Sequence, residues 1–305
     1  MTALALEREE TGGALLDRMG RRLLKRQIEA LKSLPSFPRS VLKIQSLVAS
    51  EGVPETAFKE IAAIIESDPA LCARVLKMVN AAFYGTRGPV VSVLDALVML
   101  GFEVVRGVLL SAGALEAFGA SGGFQADLDG LWAHSFGAGV AASALARVLR
   151  MPEPGILASA ALMHDLGKVA LITQLGDDYS GVVASAVERG VPIRQAEAEI
   201  MGVTHDEIGR WLVTRWRFPE PLAMPIAWHH TPEQAGRYAE SAAVIHVADL
   251  MIRGLGFGFP GDYVMPDLDV KAWKLLSLNG RKIEQAVSIM QRELHGAMAA
   301  AQRVA

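Results

Sequence analysis

Residues 162–168 read LMHDLGK, an apolar helical run in which His164 and Asp165 stand together and Gly167 and Lys168 follow. The chain has only seven histidines in 305 residues, and three more recur in similar company: His205 in GVTHDEIG and the pair His229-His230 in IAWHHTPE. Imidazole nitrogen and carboxylate oxygen suit Zn, Fe, Mn or Ni. Neighbouring ligands on a helix diverge by about 100°, so a doublet can grip two adjacent ions. The pattern predicts a two-metal site.

Composition bounds the setting of that site. At 51% hydrophobic and 21% charged residues, with 14 prolines, the chain is globular and large enough for one large domain or two small ones. A net charge of −3 gives no basic field, so neither nucleic acid nor a membrane surface is an expected partner. Cys72 is the only cysteine, and MTALALEREE lacks a basic-then-apolar secretory layout; both favour the cytoplasm. Apolar stretches such as 136–146, closed by Arg147 and Arg150, are too short to span a bilayer and read as core helices.

Working outward, the periodicity is helical throughout. Residues 1–29 form a charged lead-in with Leu15, Leu16, Leu23, Leu24 and Ile28 at helical spacing. Short helices are expected over 57–66, over 68–83 with Asp68 as cap and Pro69 at the first position, and over 93–101 after Ser92. A Gly/Asp-rich loop near 119–128 predicts a subdomain boundary, separating 30–120 from 128–305. Beyond it, helices are expected over 131–149, 156–164, 168–175, 179–189, 193–201, 204–216 and 221–230, then an irregular Gly/Pro-rich stretch at 254–268 and a last helix over 281–302. The fold class predicted is all-α.

One buried histidine is usually a hydrogen-bonded core residue, but clustering changes the argument. His134 sits among small apolar residues in LWAHSFGAG, and Asp249 between Val247, Ala248, Leu250 and Met251. An unpaired polar group in either place would be costly without a partner or a metal. His246, three residues before Asp249, reads as a core histidine, and Glu66 and Asp68 need nothing beyond solvent and capping.

These residues carry a resemblance. His134, HDLGK at 164–168, His205, the pair at 229–230 and Asp249 follow the order of the HD superfamily of metal-dependent phosphohydrolases. LPSFPRSVLKIQSLV, SDPALCARVLKMVNAAFYG and VSVLDALVMLGFEVVRGVLLSAG resemble the HDOD domain, a regulatory branch of it, over about residues 30–250. The resemblance implies a multi-helical HD-like domain behind an N-terminal helical subdomain. It also implies a pair of divalent transition-metal ions, iron first, with Mn, Ni or Zn as alternatives. His134, His164, Asp165 and Asp249 would surround one ion; Asp165 would bridge to a second held by His205, His229 and His230. Asp165 and Lys168 would be the catalytic pair if the site turns over, with Lys168 neutralising a phosphate oxygen; an ordinary exposed lysine at a helix start is the plain alternative.

HDOD domains resemble degenerate HD domains, yet this chain keeps the ligands. The Gly-Tyr-Pro motif of cyclic-di-GMP phosphodiesterases is missing from HHTPEQAGRYAE, and Gly130 stands where some members place a further acidic ligand. A signalling module acting through a protein partner is the first expectation. A phosphohydrolase of a nucleotide or cyclic dinucleotide is the second, and a mixed-valence di-iron oxygenase the third. Chain composition names neither a partner, a phosphorylated small-molecule ligand nor an oligomeric state.

Overall fold

The structure is a computed structural model that describes residues 55–66, 72–73, 75–76, 79, 92–100, 107–113 and 125–304. Among them every element is helical, and no strand occurs. Helices α1 (Glu55–Glu66) and α2 (Val93–Leu100) pack on each other. The expected helix over 68–83 is described only at isolated positions. The lead-in over 1–29, and the boundary loop up to residue 124, lie outside the described residues.

The remainder is built on α3 (Gln125–Leu149), which meets α4 (Pro154–Leu162), α10 (Ala239–Gly254) and the terminal α12 (Gly280–Val304). The centre of α3 is nearly all small residues, so its neighbours come close. A Cβ on Gly137 would stand 2.8 Å from the Phe257 ring and 3.0 Å from Ile252, and one on Gly139 would stand 3.1 Å from the Ala158 carbonyl. Buried Val140, Leu145, Leu162, Leu171, Ile208, Ile226, Val244 and Ile252 join in one core. Between α4 and α10 come α5 (Leu166–Leu175), α6 (Asp177–Arg189), α7 (Ile193–Met201), α8 (His205–Arg215), α9 (Glu220–Ala227) and a 3-10 segment, Pro232–Tyr238. Residues Pro154–Leu175 are long and apolar enough to cross a membrane by length and composition alone, but they form two helices joined by a turn, and most of the stretch is buried inside the fold.

Besides the 3-10 segment, two helices go beyond the expected list. Helix α10 has residues 242–249 buried without interruption, so it carries no polar stripe for periodicity to detect. Helix α11 (Val270–Leu275) is six residues long and is started by Asp269, whose side chain accepts from the Lys271 N–H at 2.7 Å. The stretch between α10 and α11 is irregular as its Gly/Pro content suggested, and it lies across α3: the Phe259 N–H donates to the Gly130 carbonyl at 2.9 Å. Gly258, at φ 75°, rests so close to the α3 backbone that a Cβ would stand 2.2 Å from the His134 nitrogen.

Candidate metal centre

The doublets are not on helices, as first supposed. His164 and Asp165 occupy the turn between α4 and α5, and His229 and His230 the turn after α9. A turn breaks the 100° spacing and lets both members of a pair face one centre. Asp165 precedes α5 but makes no side-chain cap hydrogen bond, so capping does not explain it. His205 opens α8, whose start is fixed by Glu207 accepting from the Thr204 N–H at 2.9 Å. His134 and Asp249 project from mid-α3 and mid-α10.

Gly167 explains how α5 and α8 meet. A Cβ there would stand 1.9 Å from the His205 carbonyl oxygen, so only glycine lets the two backbones cross at this point. That crossing brings His205 Nε2 to 3.4 Å from Asp165 Oδ1.

Two groups of donors result. In one, His164 Nε2 is 3.3 Å and His134 Nε2 is 3.9 Å from Asp165 Oδ2, while Asp249 Oδ1 is 2.9 Å from His134 Nε2 and 3.9 Å from His164 Nε2. In the other, His205, His229 and His230 offer nitrogens within 4.8 Å of one another, with His205 Nε2 and His230 Nε2 2.9 Å apart. All but His230 are almost fully buried.

The atoms left without partners show what the cluster suits. Asp165 Oδ1, His229 Nε2 and both nitrogens of His134 are buried and make no hydrogen bond; the 2.9 Å approach of His134 to Asp249 lacks hydrogen-bond alignment. Orphaned buried polar atoms at this density are costly in a protein interior, and a cation would take the lone pairs among them. Three imidazoles are tethered from behind: His164 Nδ1 to the Ala161 carbonyl at 2.6 Å, His229 Nδ1 to the Ile226 carbonyl at 2.8 Å, and His205 Nδ1 to Glu197 Oε2 at 2.7 Å. Each acceptor assigns the proton to Nδ1 and leaves an Nε2 lone pair facing inward, as metal ligation requires. Ligands about 2.0–2.2 Å from a tetrahedral ion lie roughly 3.4 Å apart, which is the scale of these separations. The residues fit one or more divalent transition-metal ions.

Two cations also belong to the site. Lys168 is only 2% exposed, not the free lysine of the plain reading, and its Nζ donates to Asp165 Oδ2 at 2.8 Å. Arg253 Nε donates to Asp249 Oδ1 at 3.0 Å, and its Nη1 to Asp262 Oδ1 at 3.0 Å. Burial pushes His229 down to about 3, with the neighbouring imidazoles of His164 and His205 adding to it. Burial likewise lowers His134 and His230. His164 is also pulled down by burial, but Asp165 outweighs that and carries it upward. Burial would raise both carboxyls, yet His164 and Lys168 hold Asp165 well below 3.8, and Arg253 with His134 does the same for Asp249.

Glu197, Tyr179, Arg253 and Asp262 escaped the sequence reading. Glu197 is fully buried and accepts from the Tyr179 hydroxyl at 2.7 Å and the His205 N–H at 2.9 Å, but in RQAEAEIM it resembles any surface acid. Arg253 did leave a signal, its i,i+4 spacing from Asp249. His246 stands outside the cluster, its Nδ1 3.1 Å from the His229 carbonyl and its Nε2 accepting from the Asp269 N–H at 3.1 Å. Asp206 turns away to Arg194, with bonds of 3.0 and 3.2 Å.

The profile of the HDOD domain family matches residues 34–232. An HDOD domain protein of unknown function from Geobacter sulfurreducens is 26% identical, with a TM-score of 0.64 over 94% of this chain and 99% of that one. A Shewanella amazonensis SB2B structure named "Putative phosphohydrolase" shares the fold at 21% identity and a TM-score of 0.60, covering 92% and 98% of the two chains. An uncharacterised Treponema pallidum (strain Nichols) protein is 26% identical over 231 residues, which is 74% of this chain but 44% of that relative, so the chain spans less than half of its length.

Proposed function

The chain belongs to the HDOD domain family, and from that premise we propose that it is a bacterial signal-transduction module whose His/Asp cluster holds divalent transition-metal ions and whose output passes through protein contacts. The observation that carries this reading is the convergence around Asp165 of ligand atoms from α3, α8, α10 and the two turns, among which Asp165 Oδ1, His229 Nε2 and both His134 nitrogens are buried without a partner. A bound ion supplies concentrated positive charge that ties these elements together and, where water has access, lowers the pKa of that water. Closure of the cluster favours a structural or regulatory centre, since six of its seven ligand side chains are buried. In this reading Asp165 joins the two donor groups, and Lys168 balances its charge.

A phosphohydrolase is the second reading, and Lys168 supports it. Its ammonium carries three donors and makes one hydrogen bond among the described residues, and the residue lines a cleft with Tyr179, Ser180, Phe259 and Pro260. Elemental analysis of the chain purified without added metal, followed by a phosphodiesterase and phosphatase screen on that sample, separates the two. Bound metal without turnover is expected. Turnover abolished by a chelator would establish the hydrolase instead, and a chain free of metal would refute both.

A further inference from the structure

We infer that residues 254–261, GLGFGFPG, form a lid: held at both ends by a buried ion pair, the segment closes the cleft lined by Lys168 and opens it by lifting from α3. The inference stands apart from the metal-holding reading, because it concerns access to Lys168 and not what Asp165 binds.

The two ends of the segment are fixed. Arg253 Nη1 donates to Asp262 Oδ1 at 3.0 Å, with both side chains almost free of solvent. Asp262 also accepts the Ile193 N–H at 3.0 Å and the Val264 N–H at 2.8 Å, which pins the far end to the start of α7. The chain therefore leaves and rejoins the fold at one place, the layout of a compact surface loop whose ends meet.

What lies between is held loosely. Gly256, Gly258 and Gly261 have φ of 64°, 75° and 108°, and with Gly254 they make half of the segment glycine. Glycine crosses between backbone regions closed to other residues, which suits a hinge. Among the described residues, one backbone-to-backbone hydrogen bond joins 258–261 to the rest of the fold, from the Phe259 N–H to the Gly130 carbonyl at 2.9 Å. The other holds are apolar: the Phe257 ring sits over Gly137, and the half-buried Phe259 ring packs on the exposed Tyr263 with 5.0 Å between centroids.

Seated, the segment seals well. Gly258 lies against α3 where a Cβ would stand 2.2 Å from the His134 nitrogen, so no side chain keeps the two backbones apart. Phe259 and Pro260 then form one wall of the cleft, and Lys168 and Ile172 of α5 with Val183 of α6 form another. The enclosed space, about 20 Å3, has room for about one water. Anything larger reaches Lys168 from this side only if a wall moves. The α5 and α6 walls belong to helices packed into the core through Val169, Leu171, Val182 and Ala186, whereas the wall made by the segment rests on one hydrogen bond and two rings. The segment is the wall that yields, and the 2% exposure of Lys168 describes its closed position.

The test treats the full chain with a small amine-acylating reagent, in EDTA so that no ion takes part. Mass spectrometry follows Lys168 beside Lys271, whose 76% exposed side chain is the reference. In the wild type, Lys168 is expected to label more slowly than Lys271, at a rate that stays level in urea below the unfolding transition, since a local opening exposes little surface. A Cβ on Gly130 would stand 3.0 Å from Phe259 Cβ, within about half an ångström of disulfide range, so Gly130→Cys with Phe259→Cys in a Cys72→Ala chain can lock the lid. The oxidised form should label Lys168 at least about tenfold more slowly than the same protein reduced, because the bond removes the local opening. Phe259→Ala, which deletes the ring from the wall, should label about tenfold faster than the wild type. If the cysteine variant fails to fold, the wild-type urea series and Phe259→Ala decide. A rate that climbs with urea in step with global unfolding, no labelling at all, equal rates in the oxidised and reduced forms, or an unchanged rate in Phe259→Ala would each overturn the lid and leave the metal reading untouched.

Discussion

Glu197 acts on the centre without facing it. Its carboxylate receives the Tyr179 hydroxyl through Oε1 and both the backbone and ring N–H of His205 through Oε2, all without solvent. Replacing such a partner behind a ligating histidine commonly weakens metal affinity about 10–100-fold. Glu197→Gln is therefore expected to lower Zn2+ affinity within that range, with Tyr179→Phe smaller, read by titration beside a urea midpoint to separate ligand positioning from unfolding. Asp165→Asn should cost at least one ion, because an amide cannot balance cationic charge, whereas His246→Gln should cost none, its nitrogens being committed to the His229 carbonyl and the Asp269 N–H. Equal metal content in the two variants would sink the role given to Asp165. At this scale the ligand candidates were legible because imidazole and carboxylate are rare in apolar surroundings. Glu197 was not, since an acid on a helix announces nothing until the chain folds and buries it; Arg253 left only its i,i+4 spacing from Asp249.

At the level of elements, Gly167 decides how closely α5 can lie on α8. A Cβ at this position would meet backbone, the His205 carbonyl oxygen at 1.9 Å and its carbon at 2.7 Å, and backbone cannot rotate aside as a side chain can. Gly167→Ala is expected to destabilise the chain by about 1–3 kcal/mol or more through overpacking, and to move His205 away from Asp165. Urea unfolding measures the first effect and Zn2+ titration the second; an unchanged midpoint with unchanged affinity would refute the close crossing. Gly258→Ala should act likewise on the segment lying over His134, with the added strain of a positive φ. The helices that carry one apolar stripe, such as α6 and α7, were readable from spacing. Helix α10 was not, because a helix buried on every side loses the contrast on which periodicity depends. The doublets were misplaced for a different reason: the sequence shows that two ligands are adjacent, but only the junctions after α4 and α9 show that a turn makes them converge.

Across the whole molecule, the centre binds folding stability to pH through groups gathered from distant parts of the chain. Burial lowers His134, His229, His230 and His246 in the folded state, His229 to about 3, against 6.5 for an ordinary imidazole. Below pH 6.5 the unfolded chain takes up protons that these buried rings refuse, so protonation favours unfolding, by up to about 1.4 kcal/mol per pH unit per group. His164 works in the opposite sense, being raised: its contribution is present below 6.5 and fades as pH climbs through its folded value. Four lowered rings outweigh one raised ring, and stability of the metal-free chain should fall as pH drops from about 6.5 toward 4. A second fall follows below about 3.9, where the unfolded chain protonates the carboxylates of Asp165 and Asp249 that the fold keeps ionised. Urea midpoints collected in EDTA from pH 7.5 to 3.5 check the sequence of events. Added Zn2+ should raise the midpoint at pH 7.5 and lose that effect near pH 4.5, because protons then compete for the same nitrogen lone pairs. A midpoint that stays level between pH 6.5 and 4.5 in EDTA would show that these imidazoles reach water more freely than the fold allows.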